Sequence, residues 1–296
     1  MNVLVLGANG LLGSNVIAAA LARGWTVAGT YHTVEPDFET ALVEFDIREN
    51  EVFSTVLDQI APDVVVNCAA MTDVDGCEQN AERAHEINAT APGAIAEVAA
   101  ERDIEFVHVS TDYVFDGTVR APYPESADTN AVQVYGESKH AGERAVAEAH
   151  GRALVTRLSF VYGRHRSTGP LVGFPGWVRE RLIAEERTPL FTDQHVSPTR
   201  AGQAATTLLE LVEAGEQGLF NVASRSCVTP YQFGQTIAQR LSTSAETLTA
   251  GSLEQVDRPA TRPRYTCLDT DRVARALDRE QPSLETDLDA LSLGDG

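Results

Sequence analysis

The chain has 296 residues, of which 43% are hydrophobic and 22% are charged, a composition typical of a folded protein with a large core. Its 43 acidic and 23 basic side chains give a formal net charge of −20, which repels phosphate backbones and anionic lipids. We therefore expect no nucleic acid and no membrane as partners. The sequence has no secretory leader and no apolar run long enough to span a bilayer, which predicts a cytoplasmic protein.

Short apolar runs rich in branched residues alternate with stretches of helical length through the first half of the chain. Such alternation predicts right-handed crossovers and an α/β fold, a doubly wound parallel sheet of the Rossmann type. The predicted strands are Asn2–Leu6, Trp25–Thr30, Ala41–Phe45, Asp63–Asn67, Ile104–Val109 and Ala153–Leu158. The predicted helices are Leu11–Arg23, Glu49–Ile60, Ala81–Glu101 and Val132–His150.

After Gly163 this alternation ends, and the segments become shorter and richer in Gly, Pro and Arg. Residues 164–200 are predicted to form loops around one helix. The helices predicted in this half are Gly176–Glu186, Thr199–Ala214, Tyr231–Leu241 and Thr270–Leu277. Gly218–Val222 is predicted to be a strand that returns to the main sheet.

Two domains follow from this change of pattern. The larger takes residues 1–163 and is joined by residues 199–224, whereas a smaller, discontinuous C-terminal lobe takes residues 164–198 and 225–296. The last residues, Ser292–Gly296, are expected to be frayed.

The four cysteines are Cys68, Cys77, Cys227 and Cys267. They have no C-x-x-C spacing and no neighbouring histidine pattern of a zinc site. We expect buried, reduced thiols in a cytosolic protein, and no bound metal.

The first predicted strand runs into Gly7-Ala8-Asn9-Gly10-Leu11-Leu12-Gly13 at the start of a helix. Glycines let a phosphate approach the backbone, and the N–H groups of a helix N-terminus stabilise its charge. Three spaced glycines could instead form only a tight turn. After the first strand of an α/β chain, however, the motif favours a dinucleotide, which makes the larger domain dinucleotide-binding and the smaller lobe substrate-binding.

The end of the second strand bears on the choice of dinucleotide. Gly29-Thr30-Tyr31-His32 lacks the carboxylate that binds a ribose 2′-hydroxyl and rejects a 2′-phosphate, so both NADPH and NADH are candidates. His32 and Arg48 are available to a phosphate. Asp46 could contact the adenine amino group, or it could cap the helix predicted over Glu49–Ile60.

Tyr135-Gly-Glu-Ser-Lys139 lies on a predicted helix, where positions i and i+4 share one side. A phenol beside an ammonium group has a lowered pKa and can donate a proton to a nascent alkoxide, and the lysine can also bind the nicotinamide ribose. The alternative is a surface ion pair between Lys139 and Glu143. Because Lys139 is the only lysine of the chain, the pattern favours the catalytic interpretation.

Polar residues also follow the strand predicted over Ile104–Val109, at its carboxyl end. Ligands of open α/β sheets bind at such ends, and a hydroxyl there can donate to a substrate carbonyl. Thr111 is the first candidate and Ser110 the second. A plain turn that closes the strand is the alternative.

The segments GANGLLG, PDVVVNCAA, STDYVFDG, YGESK and RPRYTCLDTDR together resemble the dTDP-4-dehydrorhamnose reductase family of extended short-chain dehydrogenases/reductases. The resemblance covers nearly the whole chain. STDYVFDG and the later Asp193-Gln194 to Pro198-Thr199 are its more specific motifs. Related dehydratases tend to carry Thr-Asp-Glu where this chain has Thr111-Asp112-Tyr113, which disfavours water elimination.

The resemblance implies that NADPH or NADH reduces the 4-keto group of a nucleotide-diphospho-6-deoxysugar, dTDP-4-dehydrorhamnose being the first candidate, with Thr111, Tyr135 and Lys139 as catalytic residues. The candidate cofactor-binding residues are Gly7, Asn9, Gly10, Leu11, Leu12, Gly13, His32, Asp46, Ile47, Cys68, Ala69, Ala70, Tyr135 and Lys139. The candidate substrate-binding residues are Thr111, Asp112, Tyr113, Phe160 and Arg200, and Phe160 stands where the family commonly has Trp. Further candidates for the substrate diphosphate are Arg157, Arg164 and Arg262.

Two other functions are compatible with the same residues. One is another epimerase or reductase of the extended short-chain type. The other is a non-catalytic, NADP-binding regulatory subunit of S-adenosylmethionine synthetase. The sequence carries no sign of the oligomeric state, and a homodimer is left open.

Overall fold

The computed structural model describes residues 1–291 and 293, which form an α/β fold around a seven-stranded parallel sheet. The strands are β1 (Asn2–Leu6), β2 (Thr26–Tyr31), β3 (Ala41–Glu44), β4 (Val64–Asn67), β5 (Glu105–Thr111), β6 (Leu154–Leu158), β7 (Val161–Arg164), β8 (Leu171–Val172), β9 (Thr188–Phe191), β10 (Thr199–Arg200), β11 (Gly218–Asn221) and β12 (Leu248–Gly251). The α-helices are α1 (Leu11–Ala22), α2 (Asn50–Ile60), α3 (Val74–Gln79), α4 (Ala81–His85), α5 (Ala91–Glu101), α6 (Val134–Ala149), α7 (Phe174–Ile183), α8 (Ala201–Glu213), α9 (Pro230–Arg240), α10 (Asp271–Ala276) and α11 (Leu284–Asp289).

The main sheet has the order β11-β6-β5-β4-β1-β2-β3, and neighbouring strands are parallel throughout. Helices cover both of its sides, so the valines of β4 are fully buried whichever way they point. The predicted doubly wound parallel sheet is confirmed. The strand predicted at Gly218–Val222 does return to it, as β11 beside β6. Because every strand is parallel, β1, β4 and β5 end at the same edge of the sheet.

The described residues form four apolar cores. One lies between the sheet, α1 and α8, and a second lies on the opposite side of the sheet under α2 and α5. The third lies around α7, α9 and α11 and includes Tyr162, Leu190, Phe233 and Leu288. The fourth is small and includes Val114, Phe115, Tyr123 and Leu268. The domain division proposed above, at residues 1–163 with 199–224 against residues 164–198 and 225–296, stays a prediction, since Tyr162 of the first range packs in the third core.

Some predicted elements differ from the observed ones. The long helix predicted over Ala81–Glu101 contains a π-helical turn, Glu86–Thr90, between α4 and α5. The segment predicted as loops around one helix also contributes short strands. Two of them, β8 and β10, were not predicted because they have two residues each and are too short to show a periodicity in the sequence. Of the expected frayed residues Ser292–Gly296, all but Leu293 lie outside the described residues, and Leu293 is buried.

The expectation of four reduced thiols is wrong. Cys227 and Cys267 form a disulfide with Cα atoms 5.5 Å apart, whereas Cys68 and Cys77 are free. The two bonded residues are 40 positions apart, and only the folding of the smaller lobe brings them together. The bond ties the approach to α9 to the segment around Leu268, which pairs with Tyr123.

Reducing this disulfide should lower the free energy of unfolding by about 2–4 kcal/mol, because the bond closes a long loop in the unfolded chain. Guanidinium titrations with and without dithiothreitol measure the difference. A Cys227→Ser/Cys267→Ser variant serves as the control and should not respond to dithiothreitol. Thiol counting in denaturant should give two groups before reduction and four after it; four groups before reduction would contradict the bond.

Within residues 1–291 and 293, no helix combines the length and the apolar character needed to cross a bilayer.

Candidate active site

The loop between β1 and α1 provides space for a phosphate group at a helix N-terminus. Gly7 has a φ of 79°, and a Cβ atom there would lie 2.9 Å from the Ala69 nitrogen. A Cβ atom on Gly13 would collide with the Gly7 carbonyl oxygen, so only glycine lets α1 pack this closely on the loop. No side chain caps the first N–H groups of α1, which suits them to bind an anion.

Two cavities run along the carboxyl edge of the main sheet, and Ala70 lines both. The larger, of about 470 Å³, extends from the glycine loop to the ends of β4 and β5. The predicted site residues that line it are Gly10, Leu11, Leu12, Gly13, Cys68, Ala70, Thr111, Asp112, Tyr113, Tyr135, Lys139 and Phe160. The smaller, of about 150 Å³, lies at the ends of β2 and β3 and is lined by Gly7, His32, Asp46, Ile47, Ala69 and Ala70.

Asp46 lies in the smaller cavity and does not cap α2, whose N-cap residue is Glu49. Its carboxylate accepts hydrogen bonds from Arg48 Nε at 3.0 Å and Arg48 Nη2 at 2.5 Å, and His32 Nε2 lies 3.2 Å away. The hydrogen bonds from Arg48 lower the pKa of Asp46 to about 2. Both candidates for a 2′-phosphate, His32 and Arg48, are therefore held beside this carboxylate.

Tyr135 and Lys139 both line the larger cavity from α6. Lys139 is only 2% exposed, and its Nζ donates to the Val109 carbonyl oxygen at 2.6 Å. The alternative of a surface ion pair with Glu143 is wrong. Glu143 is buried and accepts two hydrogen bonds from Arg157, at 2.8 and 2.7 Å.

Thr111 ends β5 beside Tyr135. Its hydroxyl donates to Asp112 Oδ1 at 3.1 Å and accepts from the Tyr113 N–H at 3.2 Å. It also forms a hydrogen bond with the Tyr135 side chain, whereas Ser110 Oγ, on the same cavity wall, is buried and makes no hydrogen bond within the described residues. Of the two candidate hydroxyls, Thr111 is the one that contacts the phenol.

The site titrates differently from the sequence-based expectation. Burial raises the pKa of Tyr135, and the hydrogen bond with Thr111 opposes this only in part. Burial lowers the pKa of Lys139 to about 8, although the negative charge of Glu143 favours the ammonium form and opposes this shift. The pKa of the phenol is not lowered as expected, because loss of water outweighs other influences and the ammonium group is bonded to a backbone carbonyl. A phenol with a raised pKa stays protonated at neutral pH and can act as a proton donor.

Asp112 is buried behind Thr111 and connects the two lobes. It accepts hydrogen bonds from Ser159 Oγ at 2.7 Å and Thr111 Oγ1 at 3.1 Å, and Ser159 Oγ in turn accepts from the Ser197 N–H of the smaller lobe at 3.3 Å. Burial raises the pKa of Asp112 to about 6, even though these hydrogen bonds favour the carboxylate. The carboxylate therefore holds Thr111 in place at the cavity wall.

A third cavity, of about 550 Å³, lies next to the 470 Å³ cavity and extends into the smaller lobe. Val74, Tyr113 and Phe160 line both, and Phe160 adopts a φ of 46° that non-glycine residues rarely show. The walls of the third cavity are largely apolar, with Phe174, Trp177, Pro189, Leu190, Phe191 and Val256. The charged residues among its described lining are Arg258 and Arg262.

The four arginines predicted to meet the substrate diphosphate have different surroundings. Arg262 lines the third cavity and donates to Asp75 of α3 at 2.9 and 2.8 Å. Arg200 lies outside these cavities and donates to the buried Asp287 at 2.8 Å. Arg157 is buried against Glu143, and Arg164 Nε donates to the Leu291 carbonyl oxygen at 3.3 Å. The structure thus brings only Arg262 of these four to a cavity wall.

Asn88 was not predicted as a site residue, although its hydrogen bonds join the backbone of Met71, which follows β4, to Ser138 of α6. It lies in the π-helical turn, accepts from the Met71 N–H at 2.8 Å, and donates to the Met71 carbonyl and to Ser138 Oγ, both at 3.0 Å. Such turns often occur at functional sites, but they leave no periodicity that a sequence pattern could reveal. Arg258 was missed for a similar reason, since nothing in the sequence places it opposite Phe191.

Comparison with known proteins gives consistent similarities. Residues 1–292 match the sequence model of the RmlD substrate binding domain. The chain is 48% identical over 291 residues to a protein of Haloferax volcanii named probable low-salt glycan biosynthesis reductase Agl14, covering 98% of this chain and 97% of that one. It is 32% identical over 276 residues to the dTDP-4-dehydrorhamnose reductase of Mycolicibacterium smegmatis, covering 93% and 80%. Its fold matches the crystal structure of dTDP-4-dehydrorhamnose reductase from Bacillus anthracis in complex with NADP, with a TM-score of 0.84, 24% identity, and 99% and 98% of the two chains covered.

Proposed function

The chain belongs to the RmlD substrate binding domain family, and from this premise we propose that it reduces the 4-keto group of a nucleotide-diphospho-6-deoxysugar with NADPH or NADH. The observation that carries the proposal is the convergence of Thr111, Tyr135 and Lys139 on one cavity that begins at the glycine loop. The relatives named as reductases support it. In its most specific form, the reaction converts dTDP-4-dehydrorhamnose to dTDP-rhamnose.

The cleft fits a nicotinamide dinucleotide. A Cβ atom at Gly7 or Gly13 would collide with Ala69 or with the Gly7 carbonyl oxygen, so glycine at both positions lets the loop pack closely and leaves the cavity beside it open to the uncapped N-terminus of α1. The glycine loop would hold the pyrophosphate, the smaller cavity at Asp46 and Ile47 the adenosine, and the region of Lys139 the nicotinamide ribose. When bound, the reduced nicotinamide supplies a hydride.

The protein's own side chains supply the proton and stabilise the charge. When the substrate is bound, the Thr111 hydroxyl turns its hydrogen from Asp112 to the ketone oxygen and so stabilises the negative charge that develops there. The Tyr135 phenol, which burial keeps protonated, gives its proton to that oxygen as the carbon is reduced, so the product is an alcohol. The Lys139 ammonium group stabilises the phenolate that remains.

The third cavity suits the nucleotide part of such a substrate. Aromatic and aliphatic walls favour a base, and the guanidinium groups of Arg258 and Arg262 favour phosphate oxygens. Phe160, where the family commonly has Trp, keeps an aromatic surface between the two cavities but has no indole N–H. The sugar therefore loses one hydrogen-bond donor that the family usually offers.

A substrate panel tests the proposal. Nucleotide-linked 4-keto-6-deoxysugars carrying thymine, uracil or guanine are offered with NADPH and with NADH, and the loss of nicotinamide absorbance is followed. We expect oxidation of the cofactor with at least one sugar and stoichiometric formation of its alcohol. Cofactor binding without any turnover across the panel would overturn the proposal, and cofactor that co-purifies at full occupancy would point to an epimerase instead.

Nicotinamide cofactors and nucleotide sugars are cytoplasmic metabolites, so the proposed reaction places the protein in the cytoplasm. A homodimer stays a prediction, which light scattering of the purified chain would test.

Replacing Gly13 with valine is expected to weaken binding of NADPH at least about 100-fold, because its side chain would collide with the Gly7 carbonyl and displace α1 from the phosphate. NADPH fluorescence titration measures the dissociation constant, and circular dichroism monitors the fold. Gly151→Ala is the control, since a Cβ atom there meets no neighbour within 4 Å. Unchanged affinity in a folded Gly13→Val protein would contradict the assignment of the loop.

A further inference from the structure

His108 is fully buried in β5, next to Lys139, and the mechanism above gives it no role. Its Nε2 lies 3.5 Å from Lys139 Nζ, and its Nδ1 lies 3.2 Å from the side-chain nitrogen of Asn67 on the neighbouring strand β4. The imidazole is therefore enclosed between a lysine of the reaction centre and an amide that does not reach the cavity.

The surrounding hydrogen bonds determine where His108 carries its hydrogen. The Ala69 N–H donates to Asn67 Oδ1 at 3.1 Å, so the Asn67 amide must turn its NH₂ group toward His108. Nδ1 accepts that hydrogen bond and bears no hydrogen. The neutral imidazole then carries its hydrogen on Nε2, the nitrogen that points to Lys139. Burial and the nearby Lys139 both keep the pKa of His108 far below its usual value, so the ring stays neutral.

This arrangement matters for Lys139 because an ammonium group has three donors and no acceptor. An N–H that points at an ammonium group opposes it, whereas the neutral amine can accept from the same N–H. The Val109 carbonyl accepts a hydrogen bond from Lys139 and favours its ammonium form. Glu143 of α6 also favours the ammonium form, but its effect is weakened because Arg157 of β6 neutralises its charge. The other titratable groups near Nζ are Cys68 after β4 and Tyr135 on α6.

We propose that His108 is a positioning residue for Lys139: its Nε2–H, oriented by Asn67, turns the ammonium group toward the Val109 carbonyl and sets the pH at which Lys139 loses its proton. The proposal deepens the proposed function, since it rests on Lys139 serving the reduction. Because the reduction needs the charged form of Lys139 to stabilise the phenolate, the pH at which this group loses its proton sets the alkaline limit of the reaction.

The single lysine of the chain allows a direct test. In protein labelled with ¹³C at lysine Cε, one side-chain NMR signal reports the titration of Lys139 alone. We expect a midpoint near 8 in the unaltered chain. In His108→Gln the amide oxygen can face the ammonium group. In Asn67→Leu the imidazole is free to move its hydrogen to Nδ1, so that Nε2 can accept a hydrogen bond from Lys139. Both variants should raise the midpoint by about half a pH unit or more.

His150→Gln is the matched control, because His150 is also buried but bonds to the Ile104 carbonyl and lines none of the three cavities described above. It should leave the midpoint unchanged. Equal midpoints in His108→Gln, Asn67→Leu and the unaltered chain, or a downward shift, would overturn the proposal. The ¹⁵N shifts of the His108 ring test it without any substitution, and a hydrogen on Nδ1 would also overturn it.

Kinetics then separate this proposal from the proposed function. The alkaline limb of the kcat profile should move upward with the NMR midpoint, whereas a merely structural effect would lower kcat equally at every pH. A shifted midpoint in a chain that reduces none of the panel sugars would reject the proposed function and leave the role of His108 intact.

Discussion

Tyr135→Phe is expected to lower kcat by about 10²–10⁴-fold, because the substitution removes the proton donor and keeps the ring. The effect should fall on kcat, since the Gly7–Gly13 loop that would hold the cofactor is untouched. Stopped-flow measurement of cofactor oxidation at saturating substrate gives the rate, and fluorescence titration should return a dissociation constant for NADPH within about twofold of the unaltered value.

Tyr162→Phe provides the comparison for this experiment. Tyr162 is fully buried in the third apolar core, so the same hydroxyl is deleted from a ring that lines none of the cavities described above. Its kcat should stay within about threefold of the unaltered chain. If Tyr135→Phe behaved in the same way, the phenol would have no part in proton transfer.

Glu143→Leu is expected to lower the free energy of unfolding by about 3–5 kcal/mol, because it leaves the charge of Arg157 buried without its partner. Only 3% of the Arg157 side chain and 8% of the Glu143 side chain are exposed. Guanidinium unfolding measures the loss. Glu143→Leu/Arg157→Leu removes both charges and should recover most of it, which distinguishes a stranded charge from a simple packing defect.

The exposed pair Arg225–Glu280 is the control for this prediction, with 57% and 75% of its side chains accessible. Glu280→Gln should cost less than about 1 kcal/mol. Burial alone would raise the pKa of Glu143, but hydrogen bonds from Arg157 and His140 lower it to about 2. The pair therefore stabilises the fold above the unfolded carboxyl pKa of about 4.3, and this contribution is lost as the pH falls toward 2. A Glu143→Leu loss as small as that of Glu280→Gln would contradict the prediction.

Local sequence patterns were sufficient to predict the sheet and the cavity that bears Tyr135. Apolar runs such as Val64–Asn67 indicate strands that are covered on both sides, and the spacing of Gly7 and Gly13 indicates a phosphate loop. Tyr135 and Lys139 are one helical turn apart, so their proximity also follows from the sequence alone. Each of these features leaves a local signature in the sequence, although the sheet and the cavity themselves join distant parts of the chain.

Features that depend on distant partners could not be predicted. Arg200 was expected at the substrate, but its guanidinium group is held by Asp287, 87 positions away. Cys227 and Cys267 give no local sign of their bond. His108 is a fully buried polar residue of β5, and its relation to Lys139 emerges only when β4, β5 and α6 are assembled. In each case the chemistry of the side chain was known, while the identity of its partner was not.

The position of β11 has a practical consequence for anyone who wishes to divide this chain. Residues 218–221 come from its second half but form the outer strand of the main sheet, and α8 just before them covers one side of that sheet. A fragment that stops at residue 163 would expose the backbone of β6 and strip away part of an apolar core. Neither lobe can therefore be expressed as one uninterrupted piece, and a protease nick between them should leave two fragments that still migrate together under native conditions.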